Sequence, residues 1–266
     1  MRPLPAFKPN ARTTRNDRIM KSKLLLSAVL ANLSLASLVA GDLEPLMSQP
    51  DKVVLREDFS KSKKLDKAVW RARQGTRWAM EDGVLRGRPS SPEYQARKAD
   101  HKGLEPRLSI PAAPQEFIIE FSIRIVGGEP TPIVPFVEFG HHVARVNWNK
   151  GGARLLANGE SVRLAAAPEF HLKSGEWRRA LAEIQGDEFV IQFASGATLF
   201  GAHEAFAGKK DGFGVAGLRG GVIELDDITI WSVKPKKKAY WAAIRAKLPQ
   251  SRPVKIEKRV RRKKRN

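Results

Sequence analysis

The sequence predicts an all-β fold, an antiparallel β-sandwich, from three observations. Between Val53 and Val233 the apolar residues recur with period two, as they do in half-buried strands. These runs are of strand length and are separated by clusters of Gly, Pro and Asp. No long helical pattern intervenes, which favours two packed antiparallel sheets over an alternating α/β arrangement. At 266 residues the chain has room for one such domain, placed at 50–233, with extensions on both sides.

The first extension, 1–41, ends in the pattern of a secretory signal peptide. From Met20 it reads MKSKLLLSAVLANLSLASLVAGD: two lysines, a 17-residue run from Leu24 to Ala40, then small residues that would suit cleavage after Ala36, Ala40 or Gly41. The run is short and polar for a membrane span, which needs about 20 mostly apolar residues. A secreted or periplasmic protein with no transmembrane helix after cleavage is the expectation. An uncleaved anchor and a buried helix are the alternatives. Residues 1–19 carry no pattern, and Met20 is as good a start as Met1.

Within the sandwich the cleanest strand is FIIEFSIRI. Phe117, Ile119, Phe121, Ile123 and Ile125 share one face, and Glu120, Ser122 and Arg124 share the other. In VARVNW the same alternation sets Ala144, Val146 and Trp148 against Arg145 and Asn147. ALAEIQGDEFVIQF reads as a hairpin that turns at Gly186-Asp187. In GGVIELDDITIW the apolar positions switch from odd (Ile223, Leu225) to even (Ile228, Ile230) across Asp226-Asp227. One inserted residue is what a β-bulge supplies, so this acidic pair reads as a bulge.

Charge separates the middle of the chain from its ends. The formal charge of +20 arises from seven basic and one acidic residue in 1–23 and fifteen basic and one acidic residue in 234–266. Residues 24–233 hold 26 of each sign, so the sandwich has no net field for steering nucleic acid. The tail 234–266 carries Trp241, Ile244 and Leu248 at helical spacing, which predicts a short amphipathic helix, and its last dozen residues are too charged to pack. On an exported chain an anionic envelope or sulfated polymer is a better partner for this Lys/Arg tail than nucleic acid. The absence of cysteine excludes disulfides, thiolate metal sites and thiol nucleophiles.

Three stretches carry a family resemblance. EDFSKSKKLDKAVWRARQGTRWAMEDGVLRG (57–87), HLKSGEWRRALAEIQGDEFVIQFASG (171–196) and DGFGVAGLRGGVIELDDITIW (211–231) resemble the opening strands, the Gly-x-Trp hairpin and the closing strands of concanavalin A-like and laminin G-like sandwiches. Among these, the chain is most similar to the bacterial 3-keto-disaccharide hydrolase domain. The resemblance implies a concanavalin A-like jelly roll acting on carbohydrate, with hydrolysis of 3-keto-glycosides as the expected reaction. A noncatalytic carbohydrate-binding or adhesion module is the first alternative, and polyanion binding through the tail is the second.

No catalytic motif of that family maps onto the chain, so candidate residues come from clustering. The Glu-x-Asp-x-x-Glu of glycoside hydrolase family sixteen is absent, and Glu120 with Arg124 on one strand face reads as an ion pair. VEFGHHVARVNWNK is the densest polar and aromatic stretch. Glu138, His141 and His142 are the catalytic candidates, since imidazole and carboxylate can transfer protons or bind a divalent metal ion. Adjacent histidines on a strand would face opposite ways, so one at most would reach a site unless they lie in a turn. Arg124, Arg145, Asn147, Trp148 and His203 are the candidates for substrate binding. Trp70 and Trp78, flanked by Arg71, Arg73 and Arg77, would suit a sugar ring but read more simply as core.

Overall fold

A computed structural model describes residues 43–61, 64–129, 131, 133–149 and 151–256. The expected signal peptide and the last ten residues of the basic tail lie outside the described residues. No helix among the described residues is long and apolar enough to cross a membrane.

The chain forms the antiparallel sandwich expected, from two eight-stranded sheets among the described residues. The first sheet runs β13 (Thr198–Ala202), β12 (Glu188–Phe193), β11 (Arg178–Gln185), β6 (Phe117–Val126), β15 (Val222–Val233), β4 (Val84–Arg88) and β3 (Arg77–Glu81), with β1 (Pro50–Glu57) also paired to β15. The second runs β16 (Val254–Lys255), β10 (Val162–Ala167), β9 (Gly152–Ala157), β8 (Ala144–Asn149), β7 (Phe136–Phe139), β14 (Phe213–Ala216), β5 (Arg107–Ile110) and β2 (Arg71–Ala72). Every named pairing is antiparallel.

The core lies between the sheets. Phe117, Ile119, Phe121, Ile123 and Ile125 of β6 bury their side chains there, as do Ala144, Val146 and Trp148 of β8. Burying a side chain the size of Phe or Ile contributes about 1.5–3 kcal/mol, so each of these strands adds several kcal/mol to the driving force. Phe139 of β7 lies 4.7 Å edge-on from Phe189 of β12 on the opposite sheet, joining the two layers, and 5.3 Å edge-on from Phe213, its cross-strand neighbour on β14. The turn between β11 and β12 is Gly186-Asp187, with Gln185 opposite Glu188. The slip at Asp226-Asp227 is a bulge: Asp226 pairs with Ser122 and Thr229 with Glu120, so one residue of β15 is extra, and Asp227 takes φ +49°.

Residues 234–256 are built into this unit. A short helix, Trp241–Lys247, packs Trp241 against Phe200, Val190 and Met47, and β16 extends the second sheet beyond β10. Two buried glutamates on the first sheet hold the helix and the segment 46–48 that it packs against. Glu188 accepts hydrogen bonds from Lys237, Trp241 Nε1 and Arg245 at 2.5, 2.8 and 2.6 Å. Burial alone would raise its pKa, but the three donors together hold it below the usual carboxylate range. Glu183 accepts the backbone N–H groups of Leu46, Met47 and Ser48, and there burial pushes the carboxyl up despite those donors.

Candidate functional site

The outer face of the second sheet carries the polar residues that alternate with its core. Cross-strand register aligns them in two rows: Ser109, Gly214, Glu138, Arg145 and Leu156 in one, and Arg107, Ala216, Phe136, Asn147 and Arg154 in the next. Over part of these rows opens a cleft of about 560 Å³, with Arg73, Arg107, Glu138, His141, His142 and Asp211 among the residues lining it. Gly214 leaves the floor low between Ser109 and Glu138 because it adds no side chain.

Glu138 is the hub of one wall. Its Oε2 accepts from Arg145 Nη2 at 2.8 Å, its Oε1 accepts the backbone N–H of His142, and His141 Nδ1 lies 3.3 Å from Oε1. Both partners of the ion pair are almost buried, with side-chain exposures of 10% for Glu138 and 7% for Arg145. Burial pushes the Arg145 pKa down, against the pull of Glu138, yet a guanidinium stays charged. Arg145 also meets Glu160 in the turn after β9, and its guanidinium sits 3.9 Å over the Phe136 ring. Arg107 approaches the same ring at 5.4 Å.

Both histidines lie in the turn between β7 and β8, where the strand rule of opposite faces does not hold. His141 is exposed, the two rings are 3.9 Å apart, and His142 takes φ +63°. The turn is pinned from a neighbouring loop: His141 N–H donates to Asp211 Oδ1 at 2.6 Å, and Gly140 N–H donates to the Gly212 carbonyl at 2.7 Å. Position 140 needs glycine on two counts, φ +70° and a would-be Cβ only 2.9 Å from the Lys210 side chain. Glu138, His141 and His142 each offer a ligand atom, all within 4.8 Å of one another. A carboxylate oxygen with two imidazole nitrogens is a donor set that suits a divalent cation of the zinc or manganese kind.

Of the residues expected from sequence, the structure brings Glu138, His141, His142 and Arg145 together in the cleft. Asn147 lies one row away, buried on the same face. Trp148 does not join them. It follows Ala144 and Val146 into the core, at 2% exposure, because odd and even positions of β8 face opposite ways. Arg124 is on the other sheet, where it pairs with Glu224 and stacks on Trp177 at 4.6 Å. Glu120 pairs with Arg179, so the Glu120–Arg124 ion pair expected along β6 is replaced by two pairs across strands. His203 caps the 3-10 turn Glu204–Ala207, its Nδ1 accepting the Ala205 N–H at 3.1 Å, and is not part of the cleft lining. Trp70 is core against Phe59, and Trp78 packs beside Gly87 with its Nε1 donating to Thr76 and to the Arg107 carbonyl.

Arg107, Gln74, His101 and Asp211 line the cleft without having stood out in the sequence. Arg73 gave one signal, its place beside Trp70 among three arginines.

No protein-family model matches the chain, and no curated protein matches it. Solved structures of similar architecture include the carbohydrate-binding module CBM66 from Bacillus subtilis, at 15% identity and TM-score 0.45 over 62% of this chain and 96% of that one. Another is the cellulose-induced protein Cip1, at 11% identity and TM-score 0.46 over 66% of this chain and 96% of that one. A third is SCLam, an endo-beta-1,3(4)-glucanase of family GH16, at 13% identity and TM-score 0.47 over 74% of this chain and 97% of that one.

Proposed function

We propose that the chain acts on carbohydrate in the cleft of the second sheet, with His141 as the proton-transfer group and Glu138 as the residue that orients it. The observation that supports this most is the convergence of Glu138, His141 and His142 with guanidinium groups in one cleft. A carboxylate 3.3 Å from His141 Nδ1 favours the tautomer with its proton on that nitrogen, and leaves Nε2 to accept a proton. Glu138 is a poor candidate for the base itself, because both its oxygens already accept hydrogen bonds.

The reaction that fits is cleavage of a 3-keto-glycoside, the chemistry of the domain family the sequence resembles. The ketone acidifies the neighbouring C–H. His141 takes that proton, the electron pair moves to form the enone, and the glycosidic oxygen leaves with the bonding pair. Arginines at the cleft would orient hydroxyl groups of the sugar. A divalent cation held by the Glu138, His141 and His142 side chains would supply charge stabilisation of the enediolate, but it would occupy the imidazole lone pair that proton transfer by His141 needs, so it is an alternative to that role and not an addition to it. Incubating the full chain with 3-keto-glucosides, with and without divalent cation and chelator, tests this. Release of aglycone that His141→Ala abolishes supports it; no release under either condition refutes the enzymatic reading.

A second reading follows from the same ion pair. With Glu138 committed to Arg145, the cleft can also serve as a rigid recognition surface with no catalytic step. Carbohydrate binding that survives Glu138→Gln and His141→Ala, without turnover, would mark a binding module. Export through the N-terminal segment belongs to the same proposal, and a cleavage site mapped by N-terminal sequencing of the expressed protein would test it.

A further inference from the structure

The charges in the cleft are unevenly satisfied. Arg145 is paired with both Glu138 and Glu160, although its Nε, like that of Arg107, has no acceptor among the described residues. Asp211 accepts the His141 N–H. Arg107 and Arg73 are in a different position. Among the described residues the acid within 4.0 Å of Arg107 is Glu105, 3.9 Å away, too far for a hydrogen bond and shared with Arg219 at 3.7 Å. Arg107 Nε has no acceptor among the described residues. Arg73 forms no ion pair among the described residues, and its Nη1 reaches only Ser109 Oγ, at 3.5 Å.

Strand pairing sets the backbones of these two arginines side by side. β2 and β5 are neighbours, with Ala72 opposite Leu108, and the Arg73 N–H donates to the Arg107 carbonyl at 2.9 Å. Both line the cleft that holds Glu138 and His141. Exposed arginines beside a neutral sugar site would cost little, but two undercompensated arginines lining one cleft favour an oxyanion. Their planar forks match carboxylate and sulfate oxygens.

We infer that the carbohydrate taken by this cleft is anionic, a uronate or a sulfated sugar whose oxyanion seats against Arg73 and Arg107. This rests on the carbohydrate reading of the cleft. It assigns the charge selectivity of the sandwich to two residues in the folded domain, apart from the Lys/Arg tail.

The test is calorimetric titration of the full-length chain, at fixed ionic strength, with a uronate trisaccharide, a sulfated trisaccharide and a neutral trisaccharide. Wild type is expected to bind at least one charged trisaccharide about tenfold or more tightly than the neutral one, which is the scale of one charge-assisted hydrogen bond. The charged arm that binds identifies the oxyanion. Arg107→Gln and Arg73→Gln are each expected to remove most of that preference. Arg73→Gln keeps the test open should Arg107→Gln fail to fold. Equal binding of charged and neutral sugars overturns the inference and leaves the carbohydrate reading standing. A preference that survives both substitutions assigns it to the tail and also overturns the inference. If no trisaccharide binds wild type, the inference and the carbohydrate reading fall together.

Discussion

Arg145 Nη2 donates to Glu138 Oε2 at 2.8 Å, and this ion pair between adjacent strands is nearly closed off from water. It makes the cleft wall rigid and ties the turn after β9 to it through Glu160. Removing one member leaves a buried charge alone. We therefore expect Arg145→Met to lower stability by about 3 kcal/mol, read as a shift in the midpoint of urea unfolding. Glu138→Gln, which keeps the shape, should cost less.

His141 stands outside that ion pair and is mostly exposed, so it contributes little to folding. His141→Ala should leave the unfolding midpoint within experimental scatter. If the catalytic reading holds, it should slow aglycone release from a 3-keto-glucoside by about 100-fold or more. Single-turnover rates for wild type and variant would show this directly.

Binding of a cation by Glu138, His141 and His142 has its own readout. Any ligand selective for the folded state raises the unfolding temperature, by about 2.7 kcal/mol of added stability at a hundredfold excess over Kd. Zinc or manganese is expected to raise the melting temperature of wild type, chelator to reverse it, and the His141→Ala/His142→Ala double variant to show no rise. A flat response in wild type would remove the cation from the site.

The attachment of the C-terminal helix should depend on pH through Glu188. Its pKa is held below the ordinary 4.5, so its contribution is present above that value and is lost as the pH falls through the depressed folded value. Glu183 is shifted upward by burial, so its contribution runs the other way, being present in acid and lost as the pH rises. Comparing wild type with Glu188→Gln isolates the first. Trp241 fluorescence in wild type should change on acidification below about pH 4.5, and the variant should lack the Glu188-dependent part of that change.

Strands were legible where one face is apolar. Period two located β6, β8 and the β11–β12 hairpin, and the parity slip located the bulge at Asp226-Asp227. The same parity already separates Trp148 from Arg145, so its burial could have been read from β8 alone. Sheet membership could not be. Nothing local in β6 says that Arg124 lies on the sheet opposite Glu138, and nothing local in β5 or the 211–212 loop says that Arg107 and Asp211 meet the β7–β8 turn. Long-range pairing makes the cleft, as it makes the Glu188 contacts that seat Trp241 and Arg245.

The most direct measurement is nuclear magnetic resonance of the five histidine imidazoles while an oligosaccharide is added to the full-length chain. His101, His141 and His142 line the cleft, whereas His171 and His203 do not. Carbohydrate bound in the cleft should shift the first three and leave the other two in place. Saturable binding that leaves all three cleft histidines unmoved, or that moves His171 or His203 instead, would contradict the assignment of this cleft as the carbohydrate site.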